Sequence, residues 1–274
     1  MNKTEDILRH LKDVEREHDV KVLLAVESGS RAWGFESADS DWDVRCIYVH
    51  KPQCYYSVGR QRDVVEYMYE DDVDLVGWEL RKTLTLLRQS NPSLYEWLHS
   101  PIVYRADTGF MHRIREVESA CFNPVRLMYH YNHIYLKHDV RYIRREKCKM
   151  KVFFYYLRGI LGCKWIDTYN TLPPVPFREL VAGTVDEARL RDKIDALIRI
   201  KQSGEECDIH TVDAELFDYA NRWAEHYNHR ADTFRPEPDT APSAELDAIL
   251  YDMATSSIRQ DDLPTQWNWH SNSQ

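Results

Sequence analysis

The residues whose types and spacing favour chemistry lie in the short stretch 29–45, which opens with a Gly-Ser pair and continues to an Asp-Trp-Asp triplet. Gly29 can adopt backbone angles that are closed to other residues, and Ser30 adds a hydroxyl and a backbone N–H. Residues 31–33 are suited to a short helix, whose first N–H groups would face the same point and attract an anion. The pair therefore predicts a backbone cradle of the size of a phosphate group.

Asp41 and Asp43 lie at the start of a predicted strand, where alternate side chains point to the same face. Two carboxylates this close repel each other and attract a cation. Mg²⁺ or Mn²⁺ prefers oxygen ligands and readily accepts substrate phosphate as a further ligand. Two such ions about 4 Å apart would bind both the attacking and the leaving oxygen of an in-line displacement. The arrangement predicts phosphoryl or nucleotidyl transfer, with two divalent ions and a nucleoside triphosphate (NTP) as substrate.

A third carboxylate is usually needed for a two-ion site, and Asp74 is the candidate. It lies between apolar residues in a hairpin predicted over residues 64–76, where an isolated charge is costly unless it is paired or bound to a metal. Asp72 would share its face but lies nearer the turn, so we prefer Asp74, which would ligate one ion and orient or deprotonate an attacking hydroxyl. Each feature alone is more often a plain turn or a solvated acidic pair; their order and spacing together favour a site.

The elements that must position these residues begin as strands and continue as helices. Apolar runs over residues 20–26 and 44–49 predict two buried strands, and the hairpin supplies two more. Thr4 is suited to cap a first helix, and residues 101–104 are suited to an edge strand. Further helices are predicted over residues 78–88, 109–121, 124–145, 149–164, 177–181, 186–202, 211–227 and 244–259.

This order of elements predicts an α+β fold. A catalytic domain with a mixed sheet is expected over residues 1–106, and a mainly helical domain over residues 107–274 is expected to close the nucleotide cleft. The loop over residues 52–61 is expected near the mouth of that cleft.

Binding a triphosphate also requires cations, because metal ions neutralise only part of its charge. Arg31, next to the Gly-Ser pair, is one candidate, with pairing to a surface carboxylate as the alternative. Arg158 and Lys164 flank the apolar surface of a helix in the second domain and are predicted to face the triphosphate. Tyr156 on the same helix would stack on the base, with plain core packing as the alternative.

These residues resemble the signature of the polymerase-β-type nucleotidyltransferase superfamily, which is a Gly-Ser pair, a short helix, an Asp-x-Asp triplet and a third acidic residue on a later strand. Gly29–Ser30, Asp41, Asp43 and Asp74 match it position by position. The resemblance implies a palm-like catalytic domain that transfers NMP from an NTP to a hydroxyl and releases pyrophosphate. It also implies that Gly29–Ser30 holds the β- and γ-phosphates.

Within that superfamily, the chain looks most like the branch associated with RNA repair. The supporting stretches are 29–45, 77–82, 90–101 and 155–165. This branch implies a nucleic-acid 3′-hydroxyl as acceptor and an RNA ligase in the same pathway as a partner. Two alternatives stay open: NMP transfer to a protein or small molecule, as in the antitoxin-type and antibiotic-modifying members, and a non-catalytic nucleotide-binding subunit. The second is disfavoured because all three acidic positions are present.

Composition limits the partners. The net charge of −9 means that the surface as a whole does not attract nucleic acid, so RNA must bind a local basic patch. The dense basic run over residues 141–151 is a candidate, although a solvated helix face is the default interpretation. The six cysteines form no Cys-x-x-Cys pair, which argues against zinc and favours a reducing compartment. With no signal-peptide pattern and no apolar run of bilayer length, we expect a cytosolic protein without a membrane partner.

Overall fold

The structure of the protein is a computed structural model, and it describes residues 2–59, 61–138, 148–203, 212–231 and 241–256. Within these ranges the fold is α+β, as the sequence predicts. The strands are β1 (Val20–Glu27), β2 (Trp42–His50), β3 (Val64–Met68), β4 (Val73–Glu79) and β5 (Val103–Ala106). The helices are α1 (Lys3–His18), α2 (Gly29–Trp33), α3 (Pro52–Tyr55), α4 (Leu80–Arg88), α5 (Pro92–Leu98), α6 (Thr108–Cys121), α7 (Pro124–Lys137), α8 (Met150–Tyr169), α9 (Phe177–Thr184), α10 (Ala188–Gln202), α11 (Ala214–Ala231) and α12 (Ser243–Ser256).

The strands form one mixed sheet in the order β3-β4-β2-β1-β5. β2 pairs in parallel with β4, and each of the other neighbours is antiparallel. The short helix α2 and the loop after it join β1 to β2. Because β2 and β4 run in the same direction, the first residues of both strands meet at one edge of the sheet. That edge carries Asp43 and Asp74.

The sheet has an apolar layer on each face. Ile7, Leu11 and Val14 of α1 are buried against one face. The other face packs against a large cluster that runs from Leu23 in β1 to Ala254 in α12. The predicted domain boundary at residue 106 coincides with the end of β5, but this cluster crosses it, so a separate helical domain stays a prediction.

Several element boundaries differ from the prediction, and two of the differences concern helix caps. The cap of α1 is Asn2 rather than Thr4, because the Asn2 side chain accepts the Thr4 backbone N–H at 3.3 Å. β4 extends through Trp78 and Glu79, where a helix was predicted, because these residues pair with β2. The Glu79 carboxylate then accepts the first N–H groups of α4 and acts as its cap.

Several predicted features lie outside the described residues. They are the ends of the helices predicted over residues 124–145 and 244–259, the first residue of the helix predicted over residues 211–227, and residues 141–147 of the basic run over residues 141–151. None of the helices in the described ranges is both long and apolar enough to cross a bilayer.

Candidate active site

The pairing of β2 with β4 brings two acidic residues side by side. Asp43 and Asp74 are direct partners in the parallel ladder, and their side chains are 28% and 30% exposed. Asp41 is exposed and lies just before β2. Burial raises the pKa of Asp43, against a lowering effect of Arg45, and the charges of Asp74 and Asp41 raise that pKa further. The structure therefore places Asp43 beside Asp74, and the charge of Asp41 acts on Asp43.

The Gly-Ser turn lies directly against this group. Gly29 has a φ of +58°, and a Cβ atom placed on it would lie 2.0 Å from Oδ2 of Asp43. Only glycine therefore fits here without displacing the carboxylate. The backbone N–H of Ser28 donates to the Asp43 carbonyl at 2.8 Å, which fixes the turn to β2. Ser30 is partly exposed and follows in the first turn of α2.

Arg31 makes hydrogen bonds to the loop that leads into β2. Its Nη2 donates to the Ser40 carbonyl at 2.7 Å, and its Nε donates to the Asp41 carbonyl at 3.3 Å. Its guanidinium also lies over the Trp42 ring, 3.8 Å from the centroid. These contacts fix the backbone that carries Asp41.

Two residues of helix α8 influence Asp43 or are influenced by it, and neither was predicted as a nucleotide-binding residue. The charge of Lys151 lowers the pKa of Asp43, and the side chain is exposed. Burial raises the pKa of Tyr155, and the charge of Asp43 raises it further. The Tyr155 ring also meets Trp33 edge-on, 5.0 Å between centroids. The spacing of Lys151 and Tyr155, four residues apart on one helix face, is the signal that could have identified them.

Tyr156, which was predicted to stack on a base, lies in the helical core instead. Its side chain is fully buried, and its hydroxyl donates to Oδ1 of Asn221 at 3.0 Å. It is turned about 100° around α8 from Tyr155. No face of the ring is open to a nucleotide, so the alternative of core packing describes its placement.

Arg158 and Lys164 are engaged in structural contacts. Nη2 of Arg158 lies 2.8 Å from Oε1 of Glu96, its Nη1 donates to the Val175 carbonyl at 3.1 Å, and the residue is 3% exposed. Lys164 lies about 14 Å further along α8 than Tyr155. Its Nζ is 4.3 Å from the centroid of the Trp223 ring. Both cations are therefore engaged in structural contacts away from Asp41, Asp43 and Asp74.

Glu27 is a further residue at the site that the sequence analysis did not identify. It ends β1, is fully buried, and accepts the backbone N–H of Asp43 at 2.9 Å and the hydroxyl of Tyr104. Burial raises the pKa of Glu27 to about 7. The signal that could have identified Glu27 is a charged residue at the end of an apolar strand, two positions before Gly29. By accepting the backbone N–H of Asp43, the Glu27 carboxylate fixes the start of β2.

The donor chemistry of the edge fits a hard divalent cation. Carboxylate oxygens of Asp43 and Asp74 stand beside the glycine cradle, and such oxygens are the ligands that Mg²⁺ and Mn²⁺ prefer. In the described ranges, no three His, Cys, Asp or Glu side chains already form a group that could hold a metal ion. The donors are therefore a carboxylate pair with Asp41 nearby rather than a closed cage. The guanidinium of Arg45 contacts both members of the pair.

Comparisons with known proteins identify the family of the chain. A model of the RNA repair pathway DNA polymerase beta family matches residues 4–252. The uncharacterized protein YcgL of Bacillus subtilis (strain 168) is 43% identical over 203 residues, which cover 74% of this chain and 78% of YcgL. A crystal structure of a nucleotidyltransferase-like protein from Exiguobacterium sibiricum 255-15 aligns with 88% of this chain and 86% of its own, at 11% identity and a TM-score of 0.34.

Proposed function

Since this chain belongs to the RNA repair pathway DNA polymerase beta family, as the resemblance of its motifs predicts, we propose that it is a metal-dependent nucleotidyltransferase. It transfers NMP from an NTP to a hydroxyl acceptor. The observation that carries this proposal is the parallel register that sets Asp43 beside Asp74, with the backbone of Gly29 against the Asp43 carboxylate.

In this proposal Asp41, Asp43 and Asp74 hold Mg²⁺ or Mn²⁺, two ions in the full complex. The bound metal would neutralise phosphate charge and polarise the α-phosphate. The backbone of Gly29 and the N–H and hydroxyl of Ser30 bind the β- and γ-phosphates.

The reaction transfers one proton and replaces one bond at the α-phosphorus by another. Asp74 orients the acceptor hydroxyl and accepts its proton. The hydroxyl oxygen then forms a bond to the α-phosphorus, the bond from the α-phosphorus to the bridging oxygen breaks, and pyrophosphate leaves. Asp43 would hold the metal beside the reacting groups.

The placement of side chains on α8 refines the nucleotide contacts. Lys151 is exposed and lies close enough to Asp43 to lower its pKa, so we assign it to the triphosphate. Tyr155, next to Trp33, is assigned to the nucleoside. They replace Arg158 and Tyr156 in the roles that the sequence suggested. Arg31 supports Asp41 from the loop, and Lys164 supports the packing of α8 on α11.

The proposed acceptor is a 3′-hydroxyl of RNA, in a pathway that also contains an RNA ligase. The description of the family supports this choice. The net charge of −9 requires the RNA to bind locally rather than over the whole surface.

Transfer of label tests the proposal. The protein is incubated with Mg²⁺, each α-labelled NTP in turn, and an RNA primer with a free 3′-hydroxyl. We expect the wild type to label the RNA and release pyrophosphate, and a primer with a blocked 3′ end to stay unlabelled. Asp43→Asn should remove labelling, whereas Asp63→Asn, an exposed carboxylate paired with Lys82, should not.

Label on the protein itself would contradict the RNA acceptor and support protein modification. No label from any NTP on any acceptor, with folded protein, would contradict catalysis.

A further inference from the structure

A guanidinium group bridges the two carboxylates of the proposed metal site. Nη2 of Arg45 donates to Oδ1 of Asp43 at 2.8 Å and to Oδ2 of Asp74 at 2.9 Å. Nη1 donates to the main-chain carbonyls of Asp74, at 2.8 Å, and of Val44, at 3.0 Å. The side chain is only 16% exposed. All four terminal N–H groups are therefore engaged, and Arg45 is a built part of the site rather than a surface cation.

The sheet itself places this cation. Arg45 follows Asp43 by two residues in β2, so both side chains point to the same face. The parallel register then sets Asp74 beside Asp43. A divalent cation shared by the pair needs the same carboxylate groups that Arg45 contacts, and like charges repel strongly at contact distance in partly buried surroundings.

We propose that Arg45 is a positioning residue that competes with the divalent cation for the Asp43–Asp74 pair. Without metal, Arg45 offsets the repulsion between the two carboxylates and holds them side by side. A cation that binds the pair takes carboxylate contacts from the guanidinium, so Arg45 weakens the affinity of the free protein for metal. This inference rests on the proposed function, because it concerns the metal site on which that function depends.

Binding of Mn²⁺ to the metal-free, full-length protein tests the competition without any measurement of activity. Free Mn²⁺ is quantified from its electron paramagnetic resonance signal during a titration. Arg45→Gln is expected to bind Mn²⁺ at least about tenfold more tightly than the wild type, because a positive charge at contact distance is lost. Arg45→Lys keeps the charge but loses the double contact, and a gain of about threefold is expected.

Arg105→Gln is the matched control. It removes the same charge from the same sheet, but Arg105 pairs with Glu15 at 2.9 Å and not with the site. Its Mn²⁺ affinity should stay within about twofold of the wild type, because Arg105 contacts neither Asp43 nor Asp74 and salt screens a charge that is not in contact with the site. The rise in melting temperature on adding Mn²⁺ is a second readout. It should be larger for Arg45→Gln than for the wild type, since stabilisation by a bound ligand grows with the logarithm of its affinity.

A merely structural role of Arg45 would lower Mn²⁺ affinity in Arg45→Gln, which is the opposite direction. Equal or weaker binding by this variant, with binding by the wild type intact, would overturn the competition and leave the proposed function standing. If Arg45→Gln does not fold, an Arg45→Lys affinity equal to or below that of the wild type overturns it. Absence of binding to the wild type and to both variants at millimolar Mn²⁺ would overturn the metal-dependent function, and this inference with it.

Discussion

The two ends of the central strands differ in how they use a carboxylate. At the first residues of β2 and β4, Asp43 faces Asp74 across the ladder. At the last residues, His50 and Glu79 line a cavity of about 520 Å³. The loop over residues 52–61, which the sequence places near the mouth of the catalytic cleft, lies at this far end instead. Its residues Cys54, Tyr55, Ser57, Val58, Gly59 and Gln61 line that cavity.

Glu79 at the far end is satisfied by its own neighbours. One carboxylate oxygen accepts the backbone N–H groups of Arg81, at 2.7 Å, and Lys82, at 3.3 Å, and the other accepts the Tyr55 hydroxyl at 2.5 Å. These contacts cap α4 and close β4 against α3. The pair at the near end, in contrast, shares the guanidinium of one residue, Arg45. We conclude that this cavity surrounds a structural carboxylate, while the carboxylates suited to chemistry lie at the other end of the strands.

The largest effect is expected from Asp43→Asn at the near end. The change keeps the size of the side chain and removes the charge that would hold the metal in the proposed function. We expect a loss of at least about a thousandfold in kcat/KM. Release of pyrophosphate from NTP in the presence of primer measures it. A loss of less than about tenfold would place the chemistry elsewhere.

Gly29→Ala should come next, because its new methyl group would lie 2.0 Å from Oδ2 of Asp43. We expect kcat/KM to fall about a hundredfold, since a small displacement of a reacting group is costly. Gly34→Ala is the matched control: its φ is also positive, +82°, but no atom lies within 4 Å of the added Cβ. Both variants should lose roughly 1 kcal/mol of stability from the strained backbone, but only Gly29→Ala should lose activity. Equal losses of activity would refute the close packing of the turn on Asp43.

The buried acid behind the near end should make stability depend on pH. The pKa of Glu27 is raised from 4.5 to about 7, so the folded state binds more protons than the unfolded state between these values. The free energy of unfolding of the metal-free protein should therefore fall as pH rises from about 4.5 to about 7, by about 3 kcal/mol from this group. Chemical denaturation at several pH values measures it. Glu27→Gln, which resembles the protonated acid, should flatten the profile; an unchanged slope would exclude Glu27 as its source.

The smallest effect on catalysis is expected at the far end. Glu79→Gln removes the charge that caps α4 but keeps an amide oxygen, so we expect a loss of about 1–2 kcal/mol in unfolding free energy. Its kcat/KM should stay within about threefold of the wild type. Urea unfolding and the pyrophosphate assay, run on the same preparations, separate the two quantities. A loss of activity comparable with that of Asp43→Asn would reverse the comparison between the two ends.

Local patterns predicted much of this edge. The apolar runs identified β1 and β2. The common face of Asp41 and Asp43 stays a prediction, because β2 begins at Trp42 and Asp41 lies just before it. The choice of Asp74 over Asp72 followed from its apolar neighbours. The register that sets Asp74 opposite Asp43 could not be read locally, because it depends on pairing between strands far apart in sequence.

Other residues were assigned to the wrong element or role for the same reason, because their placement depends on tertiary contacts. Trp78 has helix-compatible neighbours, but its pairing with β2 keeps it in a strand. Tyr155 and Tyr156 are adjacent residues of the same type, and only the packing of α8 decides which ring enters the core. The contact of Arg45 with Asp74 likewise depends on the register of β2 against β4. Motif spacing therefore predicted the carboxylates, and tertiary pairing decided what surrounds them.

A crystal structure of the wild type with Mg²⁺ and a non-hydrolysable NTP would show where metal and nucleotide bind. We expect metal bound by Asp43 and Asp74, with the triphosphate against Gly29 and Ser30. Nucleotide bound instead in the cavity at the far end, beside Glu79 and without metal on Asp43 or Asp74, would contradict this expectation.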